Sequence, residues 1–597
     1  MARFEIPTKD TKLFIQSNKG DVFGNLFGTF NMDFDTLAGK VRVSRRTLIT
    51  TDSTDDADLG LPIAFVRSSA DTTDRWWAIC GAVLFKTTDS APGGAMTQDA
   101  IASTPTGLSA ISSDMVDFNG SLIVSQSTDL NKLTAGTWTA TWWTGAGNLN
   151  QAVLTSGIAH PLCVSLKTNL LLAGDGNLVH TVDKNNNVKN SRVILPSEFE
   201  VIWIRSTYDG TWIGARNKFN REAKAFFWDE YAENYNRGYG LKDEMTFSGC
   251  IKDGIPYTVN GLGQLLRYTD TGFEEVGVFP VFQQINKKLD DGVSVRTNIH
   301  RNGMAVIENK IHINICSLLN QDEVKSLENF PSGIWTFDDK QGLRHKYGLS
   351  LRRATGGSEI DYGAFLLFLA GALVPTENSA GLFLVGAAIR SSANVNIKAI
   401  LYGDAGEQFN TRGHFITSIM ESSAFEDDFK DLLLTFRRFR NTTDRIIVKY
   451  RSINNSTYPI ISVTNTWTST TTFTTTTAGF ANVVAGDEIM ILQGRGAGAT
   501  VKISSITVLA GTYTITISEA ILNASGTFQC MASDWTELAT VSTQSIERQG
   551  FDLDVVGTYI QLKIELRCGS ADTGGTGNPA SPVLERVVIN SQPEILT

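Results

Sequence analysis

The feature that most constrains this chain is a rhythm of short strands. Runs of four to eight apolar or β-branched residues recur, cut by Gly, Asn, Asp and Ser, and in seven of them an aspartate closes the run. The runs are VLFKTTD ending at Asp89, LIVSQSTD at Asp129, NLVHTVD at Asp183, AFFWD at Asp229, QLLRYTD at Asp270, GIWTFD at Asp338 and AILYGD at Asp404, at intervals of roughly 40 to 68 residues. Before each lies at least one further strand and a turn, as in DFNGSLIV and YTVNGLGQLLR. The Asn-Gly and Gly-x pairs tolerate the positive φ of tight hairpins. An aspartate at a strand end suits the same geometry, because its carboxylate can accept the turn's own amides. Long helical periodicity is nearly absent. The one helix candidate is Ser422–Leu433 (SSAFEDDFKDLL), with apolar residues three or four apart.

Seven units of three or four strands fit an all-β fold, a β-propeller of about seven blades, in which the closing blade removes the free edges. A pair of β-sandwiches would give the same strand spacing. The chain has 597 residues, too many for one core of about 250–300. The pattern changes after Ala405. HFITSIMES, DLLLTFRRF and RIIVKYRSI are longer, alternating strands, and TYIQLKIELR and PVLERVVINS resume that pattern near the end. Between them lies a Gly/Thr-rich stretch containing SVTNTWTSTTTFTTTT, AGDEIMILQG and GTYTITISEAI, read as a small module of hairpins. The expected domains are residues 1–58 as an N-terminal arm or incomplete blade and 59–410 as the propeller. Residues 411–464 and 541–597 form a C-terminal β-sandwich, and 465–540 an inserted small β-barrel or sandwich.

Composition narrows the class further. Hydrophobic residues make up 42% and charged residues 19%, which excludes a mostly disordered chain. The net charge of −10 argues against a surface that grips duplex DNA. The most apolar stretch, Tyr362–Pro375, is too short to cross about 30 Å of hydrocarbon as a helix, so a buried strand pair with a glycine turn is expected and no membrane insertion. The opening MARFEIPTKDTKLF has no apolar run, so no signal peptide is expected. Six cysteines without a C-x-x-C pair suggest a reduced, intracellular setting with neither zinc nor redox chemistry.

No catalytic constellation emerges, and the expectation is a non-enzyme without cofactor or metal. There is no G-x-S-x-G elbow and no H-E-x-x-H, and His312 in KIHINI reads as a half-buried strand residue. GRGAG at Gly494–Gly498 reads as a hairpin turn, and Asp52, Asp55, Asp56 and Asp58 as a solvated acidic loop without the calcium-loop pattern. Two segments partly match the repeated sialidase turn S-x-D-x-G-x-T-W: Ser69, Asp71 and Trp76 in SSADTTDRWW, and Asp209–Trp212 in STYDGTW. Basic residues cluster at Arg42–Arg46, Arg352–Arg353 and Arg437–Arg440. The tryptophan pairs Trp76–Trp77 and Trp142–Trp143 should each put one ring in a blade core and one outward. The candidate interface residues are therefore Arg437, Arg438, Phe439, Arg440 and Trp143.

A propeller-like body followed by HFITSIMESSAFEDDFKDLLLTFRR, RIIVKYRS and GTYIQLKIELR…SPVLERVVI resembles the propeller-bearing nozzle, hub or tail-tube-end proteins of tailed bacteriophages. The resemblance implies a structural virion protein forming a homo-oligomeric ring, commonly a hexamer, around the DNA exit channel. Its partners would be adaptor or portal-side proteins and distal tail or fibre proteins. Genome DNA would pass through without sequence-specific binding, and assembly would occur in the host cytoplasm. An acidic wall would let DNA slide. The alternative is a carbohydrate-binding or sialidase-like propeller that recognises host-surface glycans.

Overall fold

In the computed structural model, residues 2–6, 26–30 and, with short gaps, 32–593 are described; the longer undescribed stretches are 7–25, 50–59, 280–295, 319–332, 404–411, 452–459 and 569–580. Strands dominate, and a single 3-10 turn at Ala478–Asn482 is the only helical element among the described residues. Among them, no helix is long and apolar enough to cross a membrane.

Seven antiparallel sheets follow one another in the chain. Blade 1 takes residues 62–98, blade 2 115–139, blade 3 162–194, blade 4 199–240, blade 5 246–278 and blade 6 296–347. Blade 7 combines 367–403 with the N-terminal strand Thr47–Ile49, whose Ile49 pairs with Leu401. The first strands pack side by side from Pro62–Ser68 through Met115–Phe118, Leu162–Val164, Phe199–Ser206, Thr246–Lys252 and Met304–Ile307 to Leu367–Glu377, which returns to Pro62–Ser68. The sheets therefore close into a seven-bladed β-propeller, sealed by a strand from the other end of the chain.

Local chemistry explains the hairpins. Asn119 and Gly120 both hold positive φ (52° and 73°) between Met115–Phe118 and Ser121–Ser125, as a two-residue primed turn requires. At the ring closure, a Cβ on Gly371 would lie 2.1 Å from the Pro62 carbonyl oxygen and one on Gly386 2.3 Å from it, so only glycine lets blade 7 approach blade 1 this closely.

Burial between blades is two-sided. In Arg75–Cys80, Trp77 and Ile79 pack with Leu122 and Val124 of blade 2, while Trp76, Ala78 and Cys80 pack with Leu384 and Ile400 of blade 7. Trp76, Trp77, Trp142 and Trp143 are all buried, so the expectation of one outward ring per pair is corrected: a blade has another blade on either side.

Of residues 1–58, expected as an N-terminal arm or incomplete blade, the described strands are built into other sheets. Ala2–Ile6, Met32–Asp33 and Val41–Val43 join one sheet of the sandwich, Leu26–Phe30 joins the other, and Thr47–Ile49 completes blade 7. Arg42 donates to Asp33 at 2.9 Å within this segment. The Met32–Phe34 stretch also ties the sandwich to blade 6: the Phe34 N–H donates to the His345 carbonyl at 3.2 Å, and Arg344 donates to the Phe34 carbonyl at 3.0 Å. One hydrophobic core accordingly runs from Tyr257 and Trp335 of the propeller to Phe415, Phe429 and Ile564 of the sandwich.

The expected helix at Ser422–Leu433 is corrected by the strand Asp427–Phe436, which lies between Val583–Pro593 and Arg548–Gly557; residues 422–426 are outside the described residues. Against Val583–Pro593, a register shift between Phe429 and Asp431 inserts one extra residue in this strand. It puts the buried Phe429 and Leu432 three apart, while Leu432, Leu434 and Phe436 keep the spacing of two. The bulge thus imitates helical periodicity. Likewise, the expected strand pair at Tyr362–Pro375 is corrected: its described part belongs to one strand, Leu367–Glu377, whose pairing shifts register three times.

The inserted module is a closed six-stranded barrel, in the order Ile460–Trp467, Thr472–Thr475, Thr512–Ile517, Thr500–Leu509, Glu488–Gln493 and Thr527–Ser533. It begins slightly earlier than expected from the sequence, and Thr536–Val541 already belongs to the sandwich. Trp467, Phe473 and Phe528 stack in its core, which explains a strand in so threonine-rich a run.

Candidate functional site

Three polar assemblies stand out. The first lies on the propeller axis. The inner edge of blade 6 is split into Arg296–Asn298 and Met304–Ile307, and the break between them carries Arg301 and Asn302. Arg301 is buried and donates to the carbonyls of Ile111, at 2.5 Å, and Ser113. Its own carbonyl accepts from Arg205 of blade 4 at 3.0 Å and from Ser248 of blade 5 at 2.7 Å. Asn302 donates to Asp114, at the start of blade 2, at 2.9 Å and to the Ile63 carbonyl of blade 1 at 3.2 Å. Asp114 also accepts from the Leu162 N–H of blade 3 at 3.1 Å, and the Leu373 N–H of blade 7 donates to the Asn302 carbonyl at 2.8 Å. All seven blades meet in this network. Burial lowers the Arg301 and His300 side chains from their ordinary values.

The second assembly is a buried ion lattice between sandwich and barrel. In Tyr559–Arg567, Ile560, Leu562, Ile564 and Leu566 face the hydrophobic core, so Gln561, Lys563, Glu565 and Arg567 face the other way. Lys563 donates to Glu488 of the barrel at 2.5 Å, and Lys449 contacts both Glu488 and Glu565, the latter at 3.1 Å. Arg567 bridges Glu565 and Glu519, each at 2.7 Å. Burial alone would raise the Glu488 carboxyl, but Lys449 and Lys563 outweigh it and hold the group below its ordinary value. Burial alone would lower Lys449, and Glu488 with Glu565 reverse that shift.

The third is a cleft of about 690 Å3 between blades 4 and 5. Successive strands are antiparallel, so first-to-second and third-to-fourth turns lie at one end of a blade. The cleft is walled by such turns: Thr207 and Asp209, then Asp229, Asn236 and Arg237, from blade 4, and Gly254–Pro256, then Thr269 and Asp270, from blade 5. Its floor holds Trp212, Phe227, Tyr239 and Tyr268. Trp212 is nearly buried, with ring centroids 4.6 Å from Tyr268, 5.1 Å from Phe227 and 5.8 Å from Tyr239. The Tyr239 and Tyr268 hydroxyls lie 3.1 Å apart.

The rhythm aspartates occupy recognisable places. Asp183, Asp229, Asp270 and Asp338 all sit at the turn after the third strand of a blade. Asp183 accepts from the Asn185 and Asn187 amides, each at 2.8 Å, Asp229 from the Tyr231 and Ala232 amides at 2.9 and 2.8 Å, and Asp338 from the Lys340 amide at 2.6 Å. Hydrogen bonds from Asn187 hold the Asp183 carboxyl below its ordinary value, and those from Ala232 and Tyr231 do the same for Asp229. Asp129 differs. It follows a second strand, is buried, and accepts from the Leu130 and Trp143 amides at 2.7 and 3.0 Å. Asp89, Asp404 and the acidic group Asp52, Asp55, Asp56 and Asp58 lie outside the described residues, as does the Gly494–Gly498 loop.

Of the candidate interface residues, Trp143 is 1% exposed and donates to the Ala152 carbonyl at 2.8 Å, and Phe439 is buried on Phe436. Both are corrected to core residues. Arg437 and Arg438 are exposed and pair with Glu585 at 3.3 Å and Glu547 at 3.1 Å, and Arg440 is exposed. His312, expected to be half-buried, is fully buried in blade 6. Among the described residues the cysteines are unpaired, and burial pushes Cys163 up to about 11 and Cys250 to about 12, so neither offers a thiolate at neutral pH. No group of three or more His, Cys, Asp or Glu side chains among the described residues could hold a metal ion.

Sequence reasoning missed the axial network and the ion lattice. Their members are single residues far apart in the chain, and no spacing connects Arg205, Arg301 and Asp114. The cleft was half visible, since Asp209, Trp212, Asp229 and Asp270 had each been singled out for turn geometry.

No family model matches the sequence, and no curated protein is similar to it. Among solved structures, the chain is similar to the extracellular domain of a putative hybrid two component system from B. thetaiotaomicron, at 11% identity and a TM-score of 0.38, covering 67% of this chain and 45% of that one. It is also similar to a chain of the Mitotic Checkpoint Complex (12% identity, TM-score 0.35, 62% and 95% covered) and to the β-propeller domain of Myceliophteria thermophila Cps50 (7%, 0.34, 58% and 98%). This chain spans less than half the length of the first of these. The propeller is defined here by its own strand order and ring closure.

Proposed function

We propose that this protein is a structural, non-enzymatic subunit of a bacteriophage tail, part of a nozzle- or hub-like ring around the path of the ejected genome. The observation that carries this reading is the axial network to which all seven blades contribute. Arg301 spends its terminal guanidinium nitrogens on backbone carbonyls, and Asn302 and Asp114 bond each other and backbone groups, so the chain itself ties the blades together at the axis. The N-terminal strands weld the propeller to the sandwich, and buried ions weld the sandwich to the barrel. Such a body suits transmission of force between neighbours better than turnover of a substrate. The resemblance of the sandwich strands to phage tail proteins supplies the setting. The genome would run between copies rather than through a propeller, and the net charge of −10 disfavours tight phosphate contacts.

Light scattering on the purified chain and antibody labelling of phage particles test the reading. A ring of about six copies, the number the phage-tail resemblance implies, and label at the tail are expected. A stable monomer that is absent from particles would sink it.

A further inference from the structure

The cleft between blades 4 and 5 has a chemistry that rigid packing does not need. Among the described residues no protein hydrogen bond engages the carboxylates of Asp209 and Asp270, and both residues are exposed at the rim. The lining also holds Arg237, which is exposed and hydrogen-bonds Tyr239, and Arg267, which pairs with Asp339 at 3.0 Å. The floor is aromatic and pre-organised. Trp212 anchors Tyr239 and Tyr268, which are partly exposed, and Phe273 closes the cluster from below at 5.9 Å. Burial and the neighbouring Tyr239 push Tyr268 up to about 12, so at neutral pH its hydroxyl is a phenol able to donate. The volume falls in the range of about 300–1,000 Å3 typical of small-ligand sites.

We propose that this cleft is a binding subsite for a neutral oligosaccharide. A sugar ring presents one apolar C–H face and a rim of hydroxyls. The tyrosine faces match the first by stacking, and carboxylates with guanidinium groups match the second through charge-assisted, paired hydrogen bonds. Three carboxylates (Asp209, Asp229, Asp270) against two arginines disfavour an anionic sugar. Its charged rim of aspartates and arginines disfavours a lipid chain, and its walls hold no histidine or cysteine for a metal. This site is independent of the tail assignment. Within a tail ring, the cleft would have to face outward.

The experiment is isothermal titration of the full chain with maltotriose, cellotriose and chitotriose, with 3′-sialyllactose as the anionic comparison. At least one neutral trisaccharide should bind. Asp270→Asn and Tyr268→Ala should each weaken binding about tenfold without lowering Tm, the scale expected for losing one charged hydrogen bond or one stacking partner. Asp183→Ala, in a turn on blade 3, should leave binding unchanged. Asp270 lies on the surface, so its variant decides the matter if Tyr268→Ala fails to fold. Silence toward all three neutral sugars, preference for sialyllactose, or unchanged binding by Asp270→Asn overturns the assignment. Particle labelling and sugar titration fail separately, so loss of one reading leaves the other standing.

Discussion

Two strands of this protein are buried on both faces by opposite means. Arg75–Cys80 of blade 1 turns Trp77 and Ile79 toward blade 2 and Trp76, Ala78 and Cys80 toward blade 7, so both faces are apolar. Tyr559–Arg567 turns Ile560, Leu562, Ile564 and Leu566 into the sandwich core and covers Lys563 and Glu565 with the barrel, so one face is apolar and the other ionic. The apolar design stabilises in small increments, each set by the area and the shape that a side chain fills. The ionic design succeeds only when all its charges are present, because an orphaned buried charge costs more than the pair contributes. A propeller blade can therefore drift in sequence one side chain at a time, whereas the barrel seat cannot.

The sharpest way to break this comparison is Glu488→Ala. It strands Lys563 and takes one of two partners from Lys449, and should cost about 3–5 kcal/mol in chemical denaturation, with the barrel's near-ultraviolet signal lost first. Acid should mimic it. The folded Glu488 value lies below the ordinary 4.5, so its contribution is full above 4.5 and is lost as pH falls through the lower, folded value. If the barrel and propeller signals fall together in acid, the lattice is not the weak seam.

Ile79→Val in blade 1 removes one methyl group from a fully buried site and should cost about 0.5–1.5 kcal/mol, independent of pH between 5 and 8 (approximate window for titrating side chains). A pH-dependent loss there would blur the contrast. The smallest effect is expected for Asp183→Ala. Its carboxylate serves an exposed turn, so the change in stability should stay within about 0.5 kcal/mol by thermal melting.

The all-β class, the blade rhythm, the switch to longer strands after Ala405 and the inserted module were readable because each rests on a local pattern: alternation, turn residues and spacing. Where local pattern misled, a tertiary feature had altered the period. The bulge between Phe429 and Asp431, opposite Val583–Pro593, produced a spacing of three that reads as a helix. The shifts along Leu367–Glu377 hid one long strand behind glycines that suggested a turn. Within residues 1–58, read as an arm or incomplete blade, the strand given to the sandwich was not legible, since pairing Ala2–Ile6 with Val587–Ser591 joins distant parts of the chain. Of the cleft, the turn aspartates were visible but not their convergence from two blades.

By itself, the sequence determined which residues alternate, where hairpins turn and that long helical periodicity is nearly absent, because these follow from neighbours in the chain. Only the tertiary structure decided what lies against each face. In TYIQLKIELR the alternation is legible, but not that its charged face, with Lys563 and Glu565, is buried; Trp143 reads as an interface ring and is core. The physical reason is that alternation fixes two faces of a strand, while the identity of what covers each face depends on sheets hundreds of residues away.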